Sequence, residues 1–388
     1  MSGTPSPSPD AARAFLYMDA ARALLAWMVA FGHAWALLIE DYRPTGNLLV
    51  QFAYFAAGFG HQSVVLFFVL SGFWIGRSVI ASSAESWSWR DYLGARLTRL
   101  MPVVVSALLL GGVLDAIGLL TGSSTHLART DSYVLPASVE RSLTLTSFAG
   151  NIAFLQQILV PPFGSNGPLW SLAYEFWYYI WFPALWLALR YRRVSIALAT
   201  LGIGVLHPDL FVHFPVWLAG VALVAMHSWC ERNPNRLSSA RRRLWAPAAG
   251  SFLAVLFWSR TGDYRGEDYA LGIAFAMLLF GGLLRGPPPI PGLTALGSFG
   301  RRASFSLYVT HFPLMAFVAA LTIDDQRLAA NTIGGLTVML AMLMAMIIAW
   351  LFASVTEANT GRIRSWLARW LVCRGHASHR REAEQPQC

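Results

Sequence analysis

The hydrophobic positions of this chain are grouped into long stretches rather than into stripes along one face of a helix. Stretches of roughly 18 to 24 apolar residues recur, the length of a helix that crosses a hydrocarbon core about 30 Å thick. A soluble domain would break them into stripes with a period of 3.6 residues. The pattern predicts ten membrane-spanning helices at about 16–39, 63–81, 100–120, 168–189, 194–208, 210–228, 245–259, 270–285, 303–321 and 332–355.

One further apolar segment, at about 143–160, has a different pattern. Asn151, Gln156 and Gln157 interrupt it, and two prolines follow it directly. Backbone that is not helical is tolerated at membrane depth only where protein covers it or water reaches it. We therefore predict a re-entrant or interfacial segment here rather than an eleventh span.

The composition agrees with a membrane protein. Hydrophobic residues make up 56% of the 388 positions and charged residues 13%, and the charged share is about half of that in soluble domains. The sequence predicts an all-α, polytopic transmembrane helical bundle. It divides into a disordered cytoplasmic tail at 1–14, one membrane domain at 15–358 and a basic cytoplasmic tail at 359–388.

The arginines behind the net charge of +9 are distributed unevenly between alternate loops. Most of them follow the even-numbered spans, and the positive-inside rule then places these loops and both termini in the cytoplasm. We expect a protein of the inner (plasma) membrane, surrounded by lipid and without a nucleic-acid partner. The three cysteines are too few and too scattered for a disulfide framework or a metal site.

The first predicted span contains three ionisable residues, Asp19, Arg22 and His33. Such residues are costly in a bilayer and are candidates for function. Eleven positions separate Arg22 from His33, which places both on nearly the same helical face, about 16 Å apart. We expect both to point into one cavity, and we expect Asp19 to pair with Arg22 one turn away. The alternative is that Arg22 extends to the membrane surface and that His33 is a structural buried imidazole.

Four further segments, together with the Arg-x10-His spacing of the first span, resemble the acyltransferase-3 family of membrane-bound acyltransferases. They are VVLFFVLSGFWIGRS at 64–78, RDYLGARLTRLMP at 90–102, NGPLWSLAYEFWYYIWFP at 166–183 and ASFSLYVTHFPLM at 303–315. Two positions depart from the family pattern. Val65 replaces an acidic residue, and Glu357 is followed by Ala-Asn rather than by x-Pro, which leaves the role of Glu357 open.

The resemblance implies transfer of an acyl group, commonly acetyl, from cytoplasmic acyl-CoA to a hydroxyl of a glycan or glycosylated acceptor. Acyl-CoA is then a co-substrate, and no permanently bound cofactor is expected. Arg96 and Arg99, one helical turn apart at the inner end of the third span, are candidates for binding the CoA phosphates. Positive-inside anchoring explains such arginines equally well.

His33, Arg22 and Glu175 are the candidate catalytic residues. An imidazole is suited to act as general base on the acceptor hydroxyl. The sequence contains neither a nucleophile elbow nor an HExxH pair, so direct transfer is simpler than a covalent or metal-dependent route. Glu175 could bind acceptor hydroxyls, orient a histidine or make a structural hydrogen bond.

Trp170 and His311 are further candidates for contact with the acceptor or for support of the site. Aromatic rings near Glu175 suit sugar faces, but an interfacial aromatic belt explains them more simply. Serines, a tyrosine and a threonine near His311 are plausible partners for a structural imidazole. A transporter that uses the buried Arg, His and Glu as a proton or substrate path is the main alternative function, although the sequence lacks recognisable inverted repeats. A non-catalytic membrane scaffold is a third possibility, but it gives no reason for the cost of inserting buried charges.

Overall fold

The computed structural model describes residues 9–82, 87–191, 194–233, 244–260, 266–285, 287–362 and 365. Within these ranges the chain is helical, and β-pairing is limited to two isolated bridges. The helices are α1 (Pro9–Leu38), α2 (Leu48–Ala57), α3 (Gly60–Ile80), α4 (Trp89–Leu120), α5 (Leu145–Ile152), α6 (Trp170–Tyr191), α7 (Val194–Leu206), α8 (Asp209–Arg232), α9 (Trp245–Trp258), α10 (Gly266–Arg285), α11 (Leu293–Thr322) and α12 (Thr332–Val355). The predicted all-α class is confirmed.

Each of the ten predicted spans coincides with one helix, while α2 and α5 are short additional helices. Among the described residues, seven helices are long and apolar enough to cross a membrane: α1, α3, α4, α8, α10, α11 and α12. The other three predicted spans, α6, α7 and α9, are not long or apolar enough by the same criterion. Many tryptophans and tyrosines lower the hydropathy of α6, whereas α7 and α9 have 13 and 14 residues and are only about 20 Å long.

The first helix begins earlier than the sequence indicates. It starts at Pro9, six residues before the expected start of the membrane domain, and Ala11 and Ala14 are buried. Proline is favoured in the first turn of a helix, where its missing N–H has no partner to lose. The rest of the predicted N-terminal tail, at 1–8, and most of the C-terminal tail lie outside the described residues.

Polar contacts show which helix ends lie together at each of the two faces of the bundle. At the end where α1 begins, Arg13 donates to the carbonyl of Pro287 at 3.4 Å, and Arg301 lies 3.7 Å from the carboxylate of Asp19. We call this end the N-terminal face. Because α3, α6, α8, α10 and α12 end there, the chain runs alternately up and down.

At the opposite face, Arg327 joins three separate segments of the chain. Its guanidinium donates to the carbonyls of Ala36, Ile39 and Thr130 at 3.1 to 3.3 Å and to the carboxylate of Asp41 at 3.0 Å. The same hydrogen bond holds the pKa of Asp41 below its ordinary value. The end of α1 and two loops are thereby fixed together.

Small residues bring the central helices close together. A Cβ added to Gly300 of α11 would lie 1.8 Å from the carbonyl oxygen of Asp19 in α1. A Cβ added to Gly220 of α8 would lie 2.0 Å from the carbonyl oxygen of Val69 in α3. Since burial in lipid supplies little hydrophobic driving force between helices, such close backbone contact is a main source of their association.

The segment at 143–160 does not cross the bundle. Only Leu145–Ile152 is helical, and its eight residues are too few to span a membrane. Asn151 donates to the carbonyls of Ser147 and Pro161 at 2.7 and 3.0 Å and accepts from the N–H of Phe163 at 3.0 Å. The polar residue that interrupts the apolar pattern therefore ties this loop together, as a re-entrant or interfacial segment requires.

We expect Gly220→Ala to destabilise the protein because the new methyl group cannot be placed without separating α3 from α8. The cost should be about 1–3 kcal/mol, as for other overpacked interiors. Thermal unfolding of the purified protein in detergent measures it.

Gly250→Ala in α9 is the matched control, since no atom of the described residues lies within 4 Å of the added Cβ. It should leave the melting temperature unchanged or raise it slightly, because alanine favours a helix over glycine. Equal melting temperatures for the two variants would contradict the close α3–α8 contact.

Candidate active site

A cavity of about 950 Å³, including the open space at its mouth, lies between α1, α3, α4, α6 and α11. Its polar lining includes Arg22, Arg96, Arg99 and Glu175. Four of the residues singled out from the sequence therefore meet around one space, although they come from three helices.

The arginines occupy the end of the cavity nearer the N-terminal face. Arg96 and Arg99 lie in the first third of α4. Arg96 donates to the hydroxyl of Ser78 at 2.9 Å, and its guanidinium stands 5.4 Å from the ring centre of Tyr92. These contacts hold the Arg96 side chain against α3 and α4, while Arg99 is exposed towards the cavity.

Asp19 is shared between two arginines. One carboxylate oxygen lies 3.9 Å from Arg22, as the sequence predicts, and the other lies 3.7 Å from Arg301. Both distances are longer than a direct hydrogen bond. Asp19 therefore orients the Arg22 side chain but does not form a tight ion pair with it.

Glu175 lies at the centre of a hydrogen-bonded group on three helices. Its Oε1 accepts from the hydroxyl of Ser71 at 2.6 Å and from the hydroxyl of Tyr179. Ser71 in turn accepts from the indole N–H of Trp217 at 3.1 Å. These contacts do not connect Glu175 to a histidine, so they do not support the role of orienting one.

The carbonyl of Tyr179 also has a partner. Pro183 lies four residues later in α6 and has no N–H to donate to it. The hydroxyl of Tyr92 in α4 donates to this carbonyl at 3.0 Å instead. The proline thus joins α6 to the helix that carries the cavity arginines.

Tyr308 and Ser171 close the end of the cavity farther from the arginines. The hydroxyl of Tyr308 donates to the carbonyl of Pro168 at 2.9 Å and is hydrogen-bonded to Ser171. The ring of Phe67 stands edge-on to the ring of Tyr308, with centroids 5.9 Å apart. These side chains therefore form the wall at the interior end of the cavity.

His33 and His311 form a pair just beyond this wall. Nδ1 of His33 lies 2.9 Å from Nε2 of His311, and the two rings are stacked with centroids 5.1 Å apart. The ring of Tyr308 is 5.9 Å from that of His311. His311 is completely buried, whereas His33 is partly accessible.

Hydrogen bonds determine which nitrogen of each ring carries the proton. Nδ1 of His311 faces two carbonyl oxygens, that of Tyr308 at 2.7 Å and that of Leu307 at 3.2 Å, and must donate to them. Nε2 of a neutral His311 is then an acceptor, so His33 donates through Nδ1. This leaves the lone pair on Nε2 of His33, where a general base needs it.

The backbone beside His311 is held by a loop. Pro313 has no N–H and frees the carbonyl of Val309, four residues earlier in α11. The side-chain amide of Asn166 donates to that carbonyl at 3.1 Å. The loop before α6 is thereby fixed to the helix that carries the second histidine.

One expectation from helical spacing is only half correct. Arg22 lines the cavity, but His33 is not among its lining residues and contacts His311 instead. The spacing places both residues on one face of α1, but α11 packs along that face and pairs His33 with His311. A single helix cannot reveal which neighbour covers it.

Trp170 lies in an aromatic group beside the cavity rather than in its lining. Its ring contacts those of Phe68, Tyr174 and His213, with centroids 5.1 to 6.3 Å apart. Tyr174 also shares a hydrogen bond of 3.1 Å with His207. Phe68 belongs both to this group and to the cavity lining.

Sequence reasoning missed Ser71 and Ser171 as components of the site and did not assign the hydroxyls of Tyr179 and Tyr308. All four lie in segments that resemble the family pattern. The available signal was a hydroxyl-bearing residue within an apolar segment of this kind. Glu357 accepts from the N–H and hydroxyl of one residue of α11, Ser306, at 2.9 and 2.6 Å. Its carboxylate thus joins the end of α12 to α11 even without the usual proline.

Comparison with known proteins identifies the family. The family model described as an acyltransferase domain matches residues 15–354, nearly the whole chain. Neither the curated proteins nor the solved structures gave a match to this sequence. A match of this extent, on a chain with seven apolar helices that can cross a membrane in its described part, shows that this membrane protein is an acyltransferase of the acyltransferase-3 family.

Proposed function

We propose that this protein transfers an acyl group, acetyl in the simplest case, from acyl-CoA to a hydroxyl of a carbohydrate-containing acceptor, such as a cell-surface or exported polysaccharide. The observation that carries the proposal is the cavity that begins at three arginines and runs towards the histidine pair. Its two ends suit the two ends of an acyl-CoA molecule.

The arginine end suits the phosphates of CoA. Arg22, Arg96 and Arg99 bring three guanidinium groups to one mouth, and guanidinium forks bind phosphate oxygens in pairs. From Ile75 to Val64 the cavity follows α3 over eleven positions, about 16 Å. The extended pantetheine arm is similar in length, so a thioester would arrive near Tyr308.

His33 would act as the general base. Its Nε2 removes the proton of the acceptor hydroxyl while the oxygen attacks the thioester carbonyl. The C–S bond then breaks, and the CoA thiolate takes the proton from the imidazolium. His311 positions His33 by accepting from its Nδ1, so that the ring keeps the tautomer needed for the next cycle.

Glu175 is assigned to the bound substrates rather than to proton transfer. Because Ser71 and Tyr179 both donate to it, its carboxylate is held in a defined place on the cavity wall. It can there accept hydrogen bonds from acceptor hydroxyls. Trp170, which is partly exposed beside the cavity, supports a carbohydrate acceptor, since a tryptophan ring packs well against a sugar face.

The proposed location is the inner (plasma) membrane, with both termini in the cytoplasm and residues 15–358 as the membrane domain. The arginine-rich mouth of the cavity lies nearer the N-terminal face, so this orientation lets cytoplasmic acyl-CoA enter it. Incubation of the purified protein with labelled acetyl-CoA and a panel of glycans tests the reaction itself. Absence of transfer to any hydroxyl-bearing acceptor would contradict the proposal.

Replacement of Arg96 and Arg99 by Gln should weaken acyl-CoA binding at least tenfold, because two phosphate-binding groups are lost. Glu175→Gln should spare that affinity while lowering the rate of transfer. Titration of the purified protein with acetyl-CoA measures the first effect, and transfer of the labelled acetyl group measures the second.

Arg302→Gln is the matched control for the loss of positive charge near the N-terminal face. Its guanidinium stacks 4.0 Å from the ring centre of Trp350 and does not line the cavity. It should leave acetyl-CoA affinity unchanged. If the loss of Arg96 and Arg99 has no larger effect than this control, the two arginines serve only to orient the protein in the membrane.

His33→Ala should lower the rate of transfer by about 100-fold or more, because general-base assistance contributes on this order. Binding of acetyl-CoA should persist, since His33 is not among the residues that line the cavity. His311→Ala should cause a smaller loss, because it removes the positioning of the base and not the base.

The corresponding control is His227→Ala, at a histidine 3.8 Å from Glu231 in the last turns of α8. This variant should retain the activity of the parent protein. Near-normal transfer by a well-folded His33→Ala protein would remove His33 from the mechanism. A proton-path transporter would instead show no acyl transfer in the parent protein.

Orientation can be tested with single cysteines after the three native cysteines are replaced. Tyr42→Cys lies on the opposite face, and Ser82→Cys lies at the N-terminal face; both positions are exposed. In intact cells a membrane-impermeant maleimide should label the first variant and not the second. The reverse pattern would place the arginine end of the cavity outside the cytoplasm.

A further inference from the structure

The cavity changes character along α3. Trp74 and Ile75 lie beside the arginines, Ser71 lies beside Glu175, and Val64 and Phe67 line the far end. The far end is therefore mainly apolar. The acyl group, which follows the pantetheine arm of the donor, would bind at this end.

The apolar end has little room to extend. Tyr308 is held by the carbonyl of Pro168, and Phe67 stands against the Tyr308 ring. Phe68, with only 2% of its surface exposed, is surrounded by the rings of Trp170, Tyr178 and His213. Because packed aromatic rings in an interior do not move aside without cost, this wall limits how far an acyl chain can extend along α3.

We infer that Phe67, Phe68 and Tyr308 form an acyl pocket that selects donors by chain length, accepting acetyl and propionyl groups and excluding chains of six or more carbons. The inference rests on the proposed function, since it assumes that the donor phosphates bind at the arginine end. The length of the cavity supports it: an arm about 16 Å long brings the thioester close to Tyr308. Only a few carbon atoms can then lie between the thioester and the wall.

The experiment compares acetyl-, propionyl-, butyryl- and hexanoyl-CoA as competitors for labelled acetyl-CoA on the purified full-length protein. In the parent protein, affinity should fall at butyryl-CoA and be lost at hexanoyl-CoA. Phe67→Ala should raise the affinity for hexanoyl-CoA relative to acetyl-CoA at least tenfold. Each methylene that gains an apolar site contributes about fourfold, so several newly accommodated carbons exceed that value.

Ile75→Ala is the matched control, because it removes apolar volume from the arginine end of the same cavity. It should leave the ratio of hexanoyl to acetyl affinity unchanged, whatever its effect on both. Val64→Leu adds one methylene at the far end and should act in the opposite direction, lowering propionyl relative to acetyl affinity. This variant keeps the test decisive if Phe67→Ala fails to fold.

The possible results distinguish an error in the acyl pocket from an error in the proposed acyl-CoA donor. If the parent protein binds none of the acyl-CoAs, the proposed donor is wrong. If it binds them all, with affinity that rises steadily with chain length and with ratios that neither Phe67→Ala nor Val64→Leu changes, the donor stands and the acyl pocket is wrong.

Discussion

The cost of placing ionisable groups in a hydrocarbon layer is the constraint on which this structure depends. Glu175 meets it by accepting from the hydroxyls of Ser71 and Tyr179, which come from α3 and from the next turn of α6. His33 and His311 meet it by bonding to each other across α1 and α11. Because these contacts link different helices, the residues that would be most costly alone also help to hold α3 against α6 and α1 against α11.

Backbone groups obey the same requirement where proline interrupts a helix. Pro183 and Pro313 each leave a carbonyl without its helical donor, and Tyr92 and Asn166 supply the missing hydrogen bonds. Both replacements come from other parts of the chain, and both fall within a few residues of the candidate site. Proline therefore creates fixed attachment points for tertiary structure at the depth where flexible backbone would be most costly.

The sequence predicts the parts of this protein that depend on one helix at a time. Apolar length gives the helices, the interruption at Asn151 gives the loop after α4, and a turn of separation gives the paired arginines of α4. The contact between His33 and His311 depends on α11 crossing α1, which no pattern within either helix encodes. The partner of Ser71 could not be predicted for the same reason, since the carboxylate of Glu175 lies in another helix. Helices α7 and α9 show the converse limit, because their apolar composition predicts full-length spans whereas the helices have only 13 and 14 residues.

The pairing of His33 with His311 has a consequence for biosynthesis. The two residues are 278 positions apart, so α1 enters the membrane long before the partner of its histidine has been translated. Until α11 arrives, α1 presents an imidazole without its final hydrogen-bond partner. A chain that stops before α11 therefore displays polar groups in the bilayer that the finished protein conceals. Quality-control proteases that recognise such groups could distinguish truncated from complete chains by this feature alone.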